Sequence, residues 1–272
     1  PFSIFEITPI GLAATAAAHR PSGTETFRLR NYAARRRLVE DPARIEAILA
    51  AYAASGPSGA TAAEVAAALP RPRKHYHFYY AQRPANDELM NCRQGLHAFF
   101  RAYYHHKSAD WAANKPHRLA GWTAEELAKM PTYYVMDRAE TMAETVAHEM
   151  PSAAEIAACQ WMTEAEMAVY AQEYGRTGFQ GGLNFYRTRI DNINAELDLF
   201  SGKAIECPSI FIGGSADWGV EQVPGGIEKM RTVACSDMRA VHSVPGAGHW
   251  VQQEQPEATV RLLLDFLKAT GA

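Results

Sequence analysis

Short apolar runs alternate with amphipathic stretches in the last third of the chain. Residues 208–213 (PSIFIG) and 240–244 are apolar runs short enough for strands buried in a parallel sheet. A helix is predicted between them, near residues 224–232, and an amphipathic helix over residues 256–268 closes the chain. The apolar face of that closing helix consists of Val260, Leu263, Leu264 and Leu267. This strand–helix–strand–helix order indicates the edge of a parallel α/β sheet.

Residues 75–200 show mostly helical periodicity. A long helix is predicted from about residue 86 to residue 105, because apolar positions recur there every three or four residues. Three more helices are predicted from capping boxes, in which Ser or Thr precedes Glu by three residues. These boxes begin at Thr123, Ser152 and Thr163. The last of the three helices is expected to end at Gly175, and a further helix is predicted over residues 183–197.

The first 74 residues differ from the rest in composition and charge. They carry ten Lys or Arg and six Asp or Glu, a balance of +4, whereas the remaining 17 basic and 24 acidic residues give −7. The weak elements predicted here are strands at 3–7 and 27–29 and helices at 41–54 and 61–69. The chain is therefore divided into an Ala/Arg-rich segment (1–74) whose fold the pattern leaves open, a helical region (75–200) and an α/β region (201–272).

Composition excludes several broad classes of protein. With 272 residues, 47% of them hydrophobic, the chain can bury a core and is not expected to be wholly disordered. The net charge of −3 gives no general attraction for nucleic acid, and the short basic runs at 35–37 and 71–74 fit a solvated surface better. The longest apolar stretch, residues 2–18, is interrupted by Glu6, Pro9 and Gly11, so neither a membrane span nor a signal peptide is expected.

The cysteines and histidines give no metal signature. The four cysteines lack CxxC spacing, so we expect reduced, mostly buried thiols and a cytoplasmic protein. His75 and His77, and the pair at 105–106, have no carboxylate or cysteine set at ligand spacing, so neither a metal nor a cofactor is expected. An oligomer is left open.

Two polar motifs follow the two predicted strands. Residues 246–250 (GAGHW) come directly after the second strand, and residues 214–218 (GSADW) follow the first. In open α/β sheets, ligands bind at the carboxyl ends of the strands. An imidazole there can act as a general base, and a carboxylate can orient it and stabilise its protonated form. The alternative interpretation is that Asp217 caps a helix and His249 is a hydrogen-bonded turn residue.

The motifs resemble those of one known family. Residues 177–187 (TGFQGGLNFYR), 209–212 (SIFI), Asp217 and 248–250 (GHW) resemble the α/β-hydrolases of the soluble epoxide hydrolase kind. The resemblance extends over about residues 72–270. It implies an α/β-hydrolase-like fold with an incomplete parallel sheet and a large helical cap.

The resemblance also implies roles for individual residues. His249 would activate the hydrolytic water and Asp217 would orient His249. Tyr186 and Tyr76 would be the two cap tyrosines that donate hydrogen bonds to the epoxide oxygen, on a small, apolar substrate. A phenol, with a pKa near 10, is a far better proton donor than water.

Four further aromatic residues are considered beside these roles. Tyr79 and Tyr80 are rivals of Tyr76, because all three tyrosines lie in the same short HYHFYY segment. Trp250 and Trp218, each next to a residue of the acid–histidine pair, are expected to contact substrate.

One expected element is missing from the sequence. The family attacks the epoxide with an aspartate in a GHDxG-like turn early in the chain, whereas here Asp41 is the only Asp before residue 87 and lies at a predicted helix start. Residues 56–59 (GPSG) have the wrong spacing for GxSxG. Covalent catalysis by this chain alone should then fail. The expectation is therefore an epoxide hydrolase-like chain in an incomplete form that lacks the nucleophile, either a truncated or frame-disrupted product or a chain whose sheet a partner completes. The alternative functions are a non-catalytic remnant or binding domain with the hydrolase cap, or a haloalkane dehalogenase-like enzyme.

Overall fold

The computed structural model describes residues 69–121, 123–190 and 203–271. The strands and helices predicted before residue 69, and the end of the helix predicted over 183–197, lie outside these residues. Within them, helices dominate from residue 76 to residue 190, and a small parallel sheet with flanking helices follows.

The helical region contains eight helices and a short antiparallel strand pair among its described residues. The helices are α1 Tyr76–Ala81, α2 Ala85–Met90, α3 Gly95–Lys107, α4 Ala124–Leu127, α5 Met142–Ala147, α6 Ala153–Ala158, α7 Glu164–Thr177 and α8 Gln180–Ile190. The strands are β1 Arg73–His75 and β2 Val135–Asp137. Sequence periodicity missed both strands, because three residues are too few to show an alternating pattern.

The single long helix predicted over residues 86–105 is wrong. It is divided into α2 and α3 by a turn, and α3 begins at Gly95 with a φ of 75°. Glycine adopts this left-handed backbone without the steric cost that other residues incur. The apolar spacing continues across the turn, which is why the pattern alone did not show the break.

Capping boxes located the helix starts well. Both boxes at Ser152 and Thr163 are complete, so these two predictions are confirmed. At Thr123 the hydroxyl accepts the Glu126 N–H, but the Glu126 carboxylate binds the N–H of Ala120 instead of completing the box.

The end predicted for the third of these helices is wrong by three residues. The α7 helix ends at Thr177 and is capped by Gly178, which has a φ of 69°. Gly175 stays inside the helix, where a methyl group at its position would make an ordinary contact with Leu96 of α3. A glycine does end the helix, as predicted, but it is the second of two nearby glycines rather than the first.

The α/β region contains two parallel strands and four short or medium helices in its described part. The strands are β3 Ser209–Gly214 and β4 Met238–Val244, and the α-helices are α9 Trp218–Glu221, α10 Gly226–Lys229, α11 Val251–Glu254 and α12 Pro256–Thr270, with a π-helix at Met230–Ala234. Both predicted strands and the closing helix are confirmed. The helix predicted near 224–232 is a short α-helix that continues as the π-helix.

Burial is uneven between the two regions. Most of the core lies in the helical region, where the largest fully buried side chains are Tyr79, Tyr133, Tyr134 and Leu89. The apolar face of α12 is 42–52% exposed in the described part of the chain, and the apolar residues of β3 are only partly buried. The expectation of a fully buried strand is therefore wrong for β3, because β4 is the one strand that pairs with it among the described residues.

Two glycines differ sharply in the room around them. A methyl group on Gly214 would lie 2.1 Å from the Gly248 carbonyl oxygen, whereas one on Gly181 in α8 would meet nothing within 4 Å. We expect Gly214→Ala to destabilise the fold by about 2 kcal/mol or more, and Gly181→Ala to stabilise it by up to about 1 kcal/mol. Urea unfolding curves of the two variants check this, and equal midpoints would contradict it.

Candidate active site

The ends of β3 and β4 bring the two predicted catalytic residues together. Because the strands are parallel and paired along their length, both polar turns leave the same edge of the sheet. The turns touch through their backbones, since the Ala216 N–H donates to the Ala247 carbonyl over 2.9 Å. Only glycine at position 214 permits an approach this close.

Asp217 and His249 form a hydrogen-bonded pair. The imidazole Nδ1 lies 3.2 Å and 3.3 Å from the two carboxylate oxygens of Asp217. The pair is mostly buried, with side chains 18% exposed for His249 and 14% exposed for Asp217. Asp217 also caps α9, because its Oδ1 accepts the Gly219 N–H over 2.7 Å. Helix capping and pairing with histidine therefore occur together and are not alternatives.

The electrostatics of the pair suit a general base. Burial lowers the pKa of His249, and the positive charge of Lys107 lowers it further, against the opposing effect of Asp217. Burial acts to raise the pKa of Asp217, but His249, the Gly219 N–H and Lys107 outweigh it and leave that pKa below its ordinary value. Asp217 is then ionised and His249 neutral near pH 7. Since the carboxylate can only accept, Nδ1 carries the proton and Nε2 is the acceptor nitrogen.

A buried carboxylate holds the histidine turn in place. Glu254 is 8% exposed, and it accepts the backbone N–H groups of Gly248 and Trp250 over 3.0 Å and that of Ala109 over 2.7 Å. The His249 N–H donates to the Lys107 carbonyl over 2.9 Å. These bonds join the histidine turn to the end of α3.

Tyrosines of the helical region lie against this pair. The hydroxyl of Tyr134 donates to Asp217 Oδ1 over 3.4 Å, and its ring lies 5.2 Å from that of Tyr76. The ring of Tyr76 is 5.8 Å from that of Tyr186, so the two predicted donors are neighbours. Tyr80 also contacts Tyr186, at 4.9 Å, while Tyr79 packs on Tyr80. The contacts therefore leave Tyr80 as a rival of Tyr76.

The two predicted tryptophans occupy different surroundings. Trp250 stacks on Tyr104 at 4.3 Å and donates its indole N–H to the Tyr104 carbonyl over 2.9 Å, with His249 at 4.9 Å. Trp218 is buried against His117 at 4.8 Å. Trp250 thus borders the histidine, while the ring contact seen for Trp218 is with the helical region.

Sequence reasoning missed three residues of this site. Tyr134 and Lys107 reach it from distant positions in the chain, whereas Glu254 lies only five residues after His249, and none of the three lies in a motif that names a role. The one usable signal was the Tyr133–Tyr134 pair, which shares the aromatic character of the segment at residues 76–80.

The described residues also bear on the expectations about metal binding, membrane insertion and the cysteines. Within residues 69–121, 123–190 and 203–271, no group of three His, Cys, Asp or Glu side chains could hold a metal ion. None of the helices described there has both the length and the apolar character of a membrane span. All four cysteines are free thiols, but only Cys235 is buried and Cys207 is exposed, so the expectation of mostly buried thiols is wrong.

Comparison of the sequence with curated proteins finds several epoxide hydrolases that are similar to part of the chain. The chain is 44% identical over 107 residues to epoxide hydrolase B of Mycobacterium tuberculosis, covering 39% of this chain and 30% of that protein. It is 34% identical over 113 residues to epoxide hydrolase 2 of Siraitia grosvenorii, covering 40% of this chain and 35% of that protein. No family model matches the chain.

Solved structures show the same likeness in the fold. An epoxide hydrolase from an endophytic Streptomyces matches 78% of this chain and 56% of its own with a TM-score of 0.55 and 23% identity. Potato epoxide hydrolase I matches 79% of this chain and 58% of its own with a TM-score of 0.54 and 21% identity. Over the matched segments the chain is similar in sequence to epoxide hydrolases, and its fold is similar to theirs. Its fold is that of an α/β-hydrolase with a helical cap and a partial sheet. The chain spans about a third of the length of these curated relatives.

Proposed function

We propose that this chain adds water to a small epoxide, with His249 as general base and cap phenols as hydrogen-bond donors. The observation that carries the proposal is the buried Asp217–His249 pair lying directly against the tyrosine cluster. The partial match to named epoxide hydrolases supports the choice of reaction. We also propose that residues 75–200 form the helical cap of the hydrolase.

The chemistry follows from the protonation states. Nε2 of His249 takes a proton from water, and the water oxygen forms a bond to an epoxide carbon while the C–O bond of the ring breaks. Hydrogen bonds from Tyr76 and Tyr186 stabilise the oxygen that becomes negative, and that oxygen finally takes a proton from solvent to give a diol, while His249 returns the proton it took to solvent. Asp217 stabilises the imidazolium formed in between. This direct route is proposed because the sequence offers no nucleophile elbow for an ester intermediate.

Styrene oxide tests the proposal on the purified chain. We expect slow formation of phenylethanediol, because general-base catalysis contributes only about 10²–10⁴-fold without a covalent step. His249→Ala should abolish it, while His148→Ala, at an exposed histidine, should leave it unchanged. Chromatography of the diol measures the rate, and a rate equal to that of His249→Ala would overturn the claim of activity.

Two other functions predict different results. A binding domain without catalysis, suggested by the missing elbow, would bind ligand but release no diol. A haloalkane dehalogenase-like enzyme would release halide from 1-chlorobutane, and the neighbouring Tyr76 and Tyr186 rings argue against it because they suit an epoxide oxygen better.

We also propose a cytoplasmic location. The support is that all four cysteines are free thiols, which fits a reducing compartment.

A further inference from the structure

A buried lysine lies at the centre of the tyrosine cluster. Lys107, the last residue of α3, is only 3% exposed. Its ammonium group is within 6 Å of five aromatic ring centres, including Tyr134 at 5.0 Å, Tyr76 at 5.8 Å and Trp250 at 5.6 Å. The cation therefore lies among the same rings that contact Asp217 and His249.

This cation lacks an acidic partner in the described part of the chain. No carboxylate oxygen there lies within 4.0 Å of the ammonium group, and its one hydrogen bond is a long one, 3.4 Å, to the Tyr103 hydroxyl. Ring faces and the carboxyl end of α3 attract a cation, but each is weaker than the hydration that burial removes. A bound anion would supply the negatively charged partner that this buried ammonium lacks.

The surroundings restrict the kind of anion. The surrounding rings are tilted against one another and make the setting apolar, while the ammonium group is a hydrogen-bond donor, which suits a carboxylate on an aromatic or alkyl group. Tyr103 and His249 are partly exposed and border the cluster, so we expect a ligand to enter from their side.

We propose that Lys107 binds a carboxylate group of the ligand, so that the preferred substrates are epoxides that carry a carboxylate on an epoxide carbon. The specificity for epoxides rests on the proposed function, but the binding of a carboxylate does not. Lys107 is thus a specificity-determining residue as well as a neighbour of the catalytic pair.

A matched pair of ligands without an epoxide tests the anion site alone. Isothermal titration calorimetry would compare trans-cinnamate with trans-cinnamamide, which share shape but differ in charge. We expect cinnamate to bind at least tenfold more tightly. Lys107→Met should remove that preference, Lys107→Arg should keep part of it, and circular dichroism would check that each variant is folded. Lys74→Met is the matched control, because Lys74 also lies over a ring, that of Tyr79 at 5.0 Å.

Each outcome is decisive. Equal affinities, no binding of either ligand, or a preference that survives Lys107→Met would overturn the proposal, even if styrene oxide is hydrolysed. A preference that depends on Lys107 in a chain that forms no diol would support the anion site and contradict the proposed hydrolysis. If the anion site and the hydrolysis of epoxides are both confirmed, trans-3-phenylglycidate should show a KM at least tenfold lower than that of its amide.

Discussion

Asp217→Asn is expected to lower the turnover of styrene oxide by about 10²-fold or more, up to the whole contribution of general-base catalysis. The asparagine side chain keeps an oxygen that can cap the Gly219 N–H, so α9 should remain formed. Its amide, however, can donate to Nδ1 of His249, which would place the imidazole proton on Nε2 and remove the acceptor that water needs. The rate of diol formation at saturating substrate measures the effect.

The pH dependence separates this role from a loss of structure. Asp217 raises the pKa of His249, so its removal should move the acid limb of the remaining activity to lower pH. Asp237→Asn, at a partly exposed aspartate paired with Arg239, serves as the control and should change neither rate nor profile. A native turnover in Asp217→Asn would show that the pair does not serve the reaction.

Glu254→Ala is expected to destabilise the fold by about 3 kcal/mol. The substitution leaves the buried N–H groups of Gly248, Trp250 and Ala109 without their acceptor. It also removes one of the connections between the histidine turn and the end of α3, namely the bond to Ala109, so turnover should fall with stability. Urea unfolding followed by tryptophan fluorescence gives the free energy of unfolding.

Two companion variants make the result interpretable. Glu254→Gln keeps one carbonyl oxygen and should lose less stability than Glu254→Ala. Glu257→Ala, at an exposed position three residues later, should change the free energy of unfolding by no more than about 1 kcal/mol. A Glu254→Ala variant as stable as Glu257→Ala would mean that the three N–H groups find other partners.

Sequence reasoning succeeded where the signal is local. The β3 and β4 strands are short apolar runs, and each is followed within a few residues by one member of the hydrogen-bonded pair, Asp217 or His249. The boxes at Ser152 and Thr163 are equally local, since a hydroxyl and a carboxylate three residues apart satisfy each other.

It failed where the deciding contact spans the chain. Tyr134 reaches Asp217 across 83 positions, and Glu254 reaches Ala109 across 145. No pattern of neighbouring residues reports such contacts, because they depend on how the helical cap packs on the sheet edge. The burial of Lys107 is of the same kind, since a lysine at a helix end is ordinarily a solvated residue.

The buried tyrosines set an upper limit on the pH at which the fold is stable. Burial raises the pKa of Tyr80, Tyr104, Tyr133 and Tyr134 above that of an ordinary phenol. In the unfolded chain these groups lose their protons near pH 10, whereas the folded chain resists the loss. Each such group therefore stabilises the fold fully below that pH and progressively less above it. In strong base, phenolate formation and unfolding become a single event.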